Sequence, residues 1–514
     1  MNQRGGVRLA EVLGAMSLAV DLGLGQPMGH VARSCLLAQR LAALAGLPER
    51  DADLYHVALM GWVGCIADSY DAAARFGDDI DYRADVYDLD MRPLPFLGYL
   101  LRRVGPGESV PKRVGRAAAL VATGAKSVQE SLRAHCQVTE QIARRFGLPE
   151  AVCASLRQVF ARWDGKGLPP KLGGTDISVT IRVWHIADVA EVHDARGGVR
   201  AAVKVIRDRR GTQFDPQLTD LFCAHADELM AALPEDVDET WTDLLAAEPA
   251  TARELSDEEL DAALEALADW VDLKSPYFTG HSRAVAELAR QGARRCGLTE
   301  DDVRLVRRAG LVHDLGRIGV PNTIWDKTTA LTPVEMERVR LHSYYTERML
   351  TEPRAMAAIG RVAASAHERL DGSGYHRGRT AGDLPATARV LAAADCYRTS
   401  IEERPHRAAK DPAAAADRLR REAAEGRLDT TAVNAVLAAA GQRRSRSPMG
   451  PAGLTPREVE VIALLAKGHT NRQIARALSV APKTVGNHVE HIYTKIGVGT
   501  RAAATLFAME HGLV

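Results

Sequence analysis

The chain repeats itself, and that limits its folds more than any other feature. His30 and His281 stand 251 residues apart, and at the same offset Gly46-Leu47 falls on Gly297-Leu298 and Ala58 on Ala309. Further on the offset drops to 207. There His135 falls on His342, Thr139-Glu140 on Thr346-Glu347, Asp164-Gly165-x-Gly167 on Asp371-Gly372-x-Gly374, and Arg182-Val183…Asp188 on Arg389-Val390…Asp395. A run of matches at constant offset means two copies of one unit. The fall of 44 puts an insertion in the first copy, between about Asp68 and Lys126.

Alanine and leucine recur at helical spacing and β-branched runs are scarce, so the expected class is all-α. The 514 residues allow about three or four domains at about 100–200 residues each. The expected division is a first helical domain at 1–232, an acidic linker at 233–255, a second helical domain at 256–440, a basic linker at 441–452 and a last domain at 453–514. From Glu235 to Asp269 thirteen Asp/Glu face one Arg, which reads as a solvated spacer leading into an exposed helix. Ser256 and Glu259 form a capping box that opens the next helix. Lys+Arg and Asp+Glu number 66 each, so any basic surface is local. Seven cysteines without a CxxC pair argue against a disulfide framework or zinc ribbon, and the cytoplasm fits best. No apolar run reaches the roughly 18–20 residues of a spanning helix, and no membrane partner is expected.

The second copy carries an unusual set of buried polar groups. His313 continues the apolar stripe of Val303, Val306 and Gly310, with Asp314 beside it. His281 lies in line with Val285 and Leu288. His342 follows Val339 by three in a helix opened by Thr332 and Glu335. Asp395 follows Leu391 by four, and His367 precedes the glycine-rich turn ERLDGSGYH. One such histidine is ordinarily a hydrogen-bonded core residue. Several together, with carboxylates, are costly to bury without a counter-charge. Imidazole with carboxylate suits iron, manganese or zinc, and a two-metal site fits hydrolysis of a phosphate ester.

With the upstream FTGHS, the motifs HDLGRIGVPNTIWDK, HERLDGSGYH and ADCYRTSIEERPHR resemble an HD-GYP domain over about 270–410. That family is a subset of the HD metal-dependent phosphohydrolases, and its usual substrate is cyclic di-GMP. The resemblance implies metal roles for His281, His313, Asp314, His342, His367 and Asp395, with Asp314 bridging a binuclear site of iron or manganese. Three positions depart from the pattern. Arg317 replaces the usual Lys and could still hold a phosphate oxygen. Ala366 removes one expected histidine, and His376 replaces the Pro of GYP. The first copy resembles the family in degraded form. Trp62-Val63 occupies the HD position and Phe160 that of His367; His30, His135 and Asp188 remain in a non-catalytic sensing, packing or dimerising domain, with His30 and His135 as core relics.

From Leu454 the sequence sets out short helices with a tight turn at Ser479-Val480-Ala481. Val459, Ile462 and Leu465 form one inward stripe, and Val485, Val489 and Ile492 another. Lys483, Thr484, Asn487, His488 and His491 are left for DNA, as in a helix-turn-helix. The stretch resembles a LuxR-type DNA-binding domain of four helices, with Gly486 where that family commonly has Lys or Arg. Gly441 to Val514 holds ten Lys/Arg and four Asp/Glu, the local charge that DNA requires.

The first reading is a cytoplasmic bacterial transcriptional regulator, expected as a homodimer, whose HD-GYP-like domain is a metal-binding phosphohydrolase or sensor. The alternative is a phosphodiesterase acting on cyclic di-GMP or another phosphate ester, with an accessory DNA-binding domain. A third reading is a regulator whose metal is structural. Whether the site turns over stays open, because Arg317 and Ala366 weigh against hydrolysis and the His313-Asp314 pair weighs for it.

Overall fold

The computed structural model describes residues 6–47, 52–89, 93–105, 109–249, 253–351, 353–442 and 450–513. Every element among them is helical, and the β contacts are isolated bridges. The all-α expectation holds. The chain forms two compact units, Met1–Gly441 and Gln442–Val514. Most of the expected basic linker, residues 443–449, lies outside the described residues.

The repeat is visible in the helices. His30–Leu44 and His281–Arg295 are both fifteen residues long, and each follows a left-handed glycine, Gly29 at φ 102° and Gly280 at φ 75°. The first amides of a helix have no partner within it. In each copy an aspartate from the preceding helix takes some of them. Asp21 accepts from the Gly29 and Val31 amides at 2.7 and 2.9 Å, and Asp272 accepts from the Ser282 amide and hydroxyl at 3.1 and 2.8 Å. The imidazole at the head of each helix is thereby fixed in direction.

The two copies pack into one unit around one hydrophobic core. Where they meet, a Cβ on Gly23 would stand 2.9 Å from Ile318, and one on Gly319 would stand 2.9 Å from Leu22. The Trp270 indole of the second copy donates to the Val63 carbonyl of the first at 2.8 Å. The stretch expected as a solvated spacer also takes part. Val237–Ala246 is a helix with Trp241 and Leu244 buried, and the Leu244 carbonyl accepts from the Tyr55 hydroxyl at 3.2 Å. Its acidic side chains Asp238, Glu239 and Asp243 face solvent, so the charge reading was right for one face only. The capping box at Ser256 is present as expected.

The insertion folds as the helices Ser69–Phe76, Asp79–Val86 and Pro93–Arg103 and the first part of a 36-residue helix, Val110–Arg145. Phe96, Tyr99, Leu100, Val104 and Leu120 give it a small core of its own. Its Asp79 reaches the second copy, where it accepts from Lys274 Nζ at 2.8 Å and from the Asn322 amide at 2.8 Å.

Candidate metal centre and helix-turn-helix

Three helices and two connecting stretches of the second copy turn polar groups toward one point. His281 heads its helix, and His313 and Asp314 follow Glu300–Val312 as C-cap and next residue. His342 lies inside Pro333–Thr351, Asp395 inside Ala386–Ile401, and His367 on the loop after Ala357–Ala363. The Asp314 carboxylate is the hub. Its Oδ2 lies 3.3 Å from His281 Nε2 and 2.9 Å from His313 Nε2, and its Oδ1 lies 3.4 Å from His342 Nε2 and 3.7 Å from His367 Nε2. Asp395 closes the other side, 3.5 Å from His281 Nε2 and 3.5 Å from His367 Nδ1. All six residues expected as ligands thus meet. Two triads stand out, His281–His313–Asp314 and Asp314–His342–His367, and they share Asp314.

The outer nitrogens determine what the inner ones can do. His313 Nδ1 donates to the Gly310 carbonyl at 2.8 Å, His342 Nδ1 to the Val339 carbonyl at 2.5 Å, and His281 Nδ1 to Glu402 Oε2 at 2.7 Å. Each bond places the proton on Nδ1 and leaves an Nε2 lone pair for the centre. The four Nε2 atoms are buried and make no hydrogen bond, and the buried Asp314 oxygens have ion pairs only. Leaving such groups unpaired costs about 1–3 kcal/mol each. A divalent cation satisfies this donor set, so the residues fit the group.

Charge points the same way. Burial disfavours the imidazolium of His281, yet Asp314, Asp395 and Glu402 raise it to about 10, and Asp314 and Asp395 likewise raise buried His313 to about 9. Burial dominates at His367, which falls to about 4. Burial alone would raise Asp314, but Arg317 and His313 hold it well below the ordinary carboxylate range. A cation supplies that positive charge without the protons.

Arg317 stands at the edge of this cluster, with Nη2 2.6 Å from Asp314 Oδ2 and its guanidinium 4.3 Å from the Phe278 ring centre. Trp325 lies beneath it at 5.6 Å and packs edge-on against His342. His376 pairs with Glu347 at 2.8 Å, away from the ligands. The sequence reading missed Glu402. It lies seven residues after Asp395, just past the end of the helix that carries it.

The first copy shows what closes such a centre. The sequence spacing put Trp62-Val63 at the HD position, but the structure shifts this by one residue. Trp62 is the N-cap of the 3-10 turn Val63–Asp68, as Asp314 is of Leu315–Gly319. Gly64 touches the His135 carbonyl as Gly316 touches that of His342. Gly61-Trp62 therefore replaces His313-Asp314, and one residue is missing from the first copy between the two landmarks. No imidazole fits at Gly61, where a Cβ would fall 2.4 Å from Trp184. The Trp62 indole fills the hub, donates to Asp188 at 2.8 Å and lies against Tyr87, His135 and Phe160. His135 spends its Nε2 on the Gly61 carbonyl, and His30 sits between Glu191 and Asp188. His30, His135 and Asp188 thus all have protein partners.

The second unit is four helices, Pro456–Ala466, Asn471–Ala477, Pro482–Ile496 and Arg501–Glu510. Capping boxes at Thr455/Glu458 and Thr470/Gln473 start the first two. Val461, Ile462, Leu465, Ile474, Val485 and Ile492 make the core, with Val459 and Val489 only partly buried. Lys495 binds Glu458 at 2.7 Å and ties the third helix to the first. Lys483, Thr484, Asn487 and His491 are exposed on that third helix, and His488 is half-buried.

Residues 265–432 match the HD domain family, and residues 452–508 match the bacterial regulatory proteins of the luxR family. The chain is 28% identical over 407 residues to the 3'3'-cGAMP-specific phosphodiesterase 3 of Vibrio cholerae serotype O1, covering 78% of this chain and 88% of that one. It is 34% identical over 203 residues to the cyclic di-GMP phosphodiesterase PA4108 of Pseudomonas aeruginosa, covering 38% and 48%. The crystal structure of a cyclic GMP-AMP-specific phosphodiesterase of V. cholerae (V-cGAP3) superimposes with a TM-score of 0.61 at 25% identity, over 85% of this chain and 98% of that one. The chain is also 43% identical over 61 residues to the response regulator protein VraR of Staphylococcus aureus, covering 12% of this chain and 29% of that one. These matches place an HD domain within residues 265–432 and a luxR-family regulatory domain within residues 452–508.

Proposed function

We propose that the chain is a cytoplasmic DNA-binding regulator whose second helical copy hydrolyses a cyclic dinucleotide. The observation that carries the enzymatic part is the set of four buried Nε2 atoms, none with a hydrogen-bond partner, that converge on the Asp314 carboxylate. Groups so costly to bury are retained for a ligand, and imidazole with carboxylate takes a divalent metal of the iron or manganese kind. His281, His313 and Asp314 would hold one ion, and Asp314, His342 and His367 a second, with Asp395 between His281 and His367. Such ions supply Lewis acidity toward phosphate oxygens and lower the pKa of water. The chain's own part is to turn the Nε2 of His281, His313 and His342 to the centre through their Nδ1 bonds, and to exclude water with Phe278, Trp325 and Tyr375, whose ring stacks on that of His367. Arg317 balances the charge of Asp314 and presents a guanidinium to a phosphate.

Among substrates, 3'3'-cyclic GMP-AMP is favoured over cyclic di-GMP. The similarity that runs through both copies is to a 3'3'-cGAMP-specific phosphodiesterase, whereas the match to PA4108 covers only 38% of this chain. The DNA-binding part rests on the exposed third helix of the last unit, and a homodimer would match two half-sites. No described helix is long and apolar enough to cross a membrane. The test is incubation of the manganese-loaded full chain with 3'3'-cyclic GMP-AMP and cyclic di-GMP, separating products by chromatography. Linear dinucleotide should appear from the first more rapidly than from the second, and Asp314→Ala should yield none. Metal-loaded wild type that binds both nucleotides and cleaves neither sinks the enzymatic reading and leaves a sensor.

A further inference from the structure

The three imidazoles that donate through Nδ1 are not equivalent. His313 and His342 donate to neutral main-chain carbonyls within their own helical turns, whereas His281 donates to a carboxylate 121 residues away. Glu402 is itself fixed. It is the C-cap of Ala386–Ile401, the helix that carries Asp395. Arg398 holds its Oε1 at 2.9 Å, and Arg404 holds its Oε2 at 3.0 Å. Arg404 is anchored in turn by the Tyr277 carbonyl at 2.6 Å and lies 5.3 Å from the Phe278 ring centre, the ring that also carries Arg317. Glu402 is half-buried and ion-paired to both arginines.

We infer that Glu402 is a positioning residue, which holds His281 in the Nδ1–H tautomer, aims its Nε2 and raises its basicity toward a cation at the His281–His313–Asp314 triad. The inference rests on the metal reading proposed above. A carboxylate accepts a stronger bond from an imidazole than a carbonyl does, and it polarises the ring so that the far nitrogen becomes the better donor. The triad containing His281 therefore holds its ion more tightly than the triad of Asp314, His342 and His367. Charge at Glu402, not bulk, is the operative property. Its two arginines explain why a carboxylate can persist there: they neutralise it from outside the site without reaching the ligand.

The experiment is titration of the metal-free full chain with manganese(II), reading free ion by its magnetic resonance signal. Wild type should bind with a tight and a weaker class. Glu402→Ala should weaken the tight class by about 10–100-fold, as loss of such outer partners does. Glu402→Gln keeps an oxygen for Nδ1 without the charge and should fall between the two, and Glu403→Gln should match wild type. In a His281→Ala background, Glu402→Ala should have no further effect, because its route to the metal is gone. Equal affinities in wild type and Glu402→Ala overturn the inference alone. Losses that add independently of His281 also overturn it, by making Glu402 a general stabiliser. A wild type that binds no manganese removes the metal reading and this inference together.

Discussion

At the scale of single residues, Arg317 and Asp314 decide most. The guanidinium serves two partners, the Asp314 carboxylate and the Phe278 face. Lysine offers a cation but no plane to stack. Arg317→Lys should therefore keep the metal and preserve or raise the rate. It should lower stability by about 0.5–2 kcal/mol, the range of a cation–π contact from exposed to desolvated. Elemental analysis and thermal unfolding check both halves, and loss of metal in that variant would mean the stack, not the ligand set, holds the site together. Of the candidate ligands, His281, His313, His342 and Asp395 were legible because each continues an apolar stripe, which makes a buried polar group conspicuous, whereas Asp314 and His367 stood out by their motifs. Glu402 was not legible, since it lies just past its helix in a run of charged residues that reads as surface. Trp62 was placed one residue out of register because offsets were counted from His30, and the first copy is one residue shorter before its HD position.

At the scale of elements, sequence signals served best where the physics is local. The caps at Ser256, Thr332 and Thr455 depend on residues three apart, and all three boxes form. The segment at 233–249 was misread because its helix is fixed by a distant partner: Trp241 packs against Gly14. The third helix of the last unit carries a testable weakness. Gly486 sits in its interior, and a Cβ there would meet nothing within 4 Å. Gly486→Lys should stabilise that unit by about 0.5–1 kcal/mol through helix propensity. If the helix lies along DNA as proposed, it should also tighten binding and steepen the salt dependence by about 0.9 in log–log slope. Lys483→Ala should do the reverse across all sequences, while Asn487→Ala should relax preference at one or two bases. Filter binding at several salt concentrations reads all three, and an unchanged slope in both lysine-position variants would remove this helix from the interface.

At the scale of the whole molecule, the repeat foretold two copies but not how they depend on each other. The insertion, visible only as a change of offset, supplies the reason. Its Asp79 is buried between the copies with Lys274 2.8 Å and Arg83 3.0 Å away, and it also takes the Asn322 amide. Asn322 opens the short helix that ends in Trp325, which packs on His342. The first copy thus buttresses one wall of the other copy's candidate site. Asp79→Ala leaves Lys274 buried beside Arg83 with no carboxylate between them. Removing one partner of a buried pair costs about 3–5 kcal/mol, and the cost should fall on both copies because they share one core. Calorimetry of the full chain should show the transition of the large unit moved down as a single event. Two separated transitions, with the second copy unmoved, would show instead that the copies fold independently. The sign with pH is fixed as well. Burial would raise Asp79, but Lys274 and Arg83 hold it below 3.8, so its contribution is complete above that pH and is lost as pH falls through the lowered value. The stability gap between wild type and Asp79→Ala should accordingly be constant near neutrality and close in strong acid, where the carboxylate is protonated in both folded and unfolded wild type.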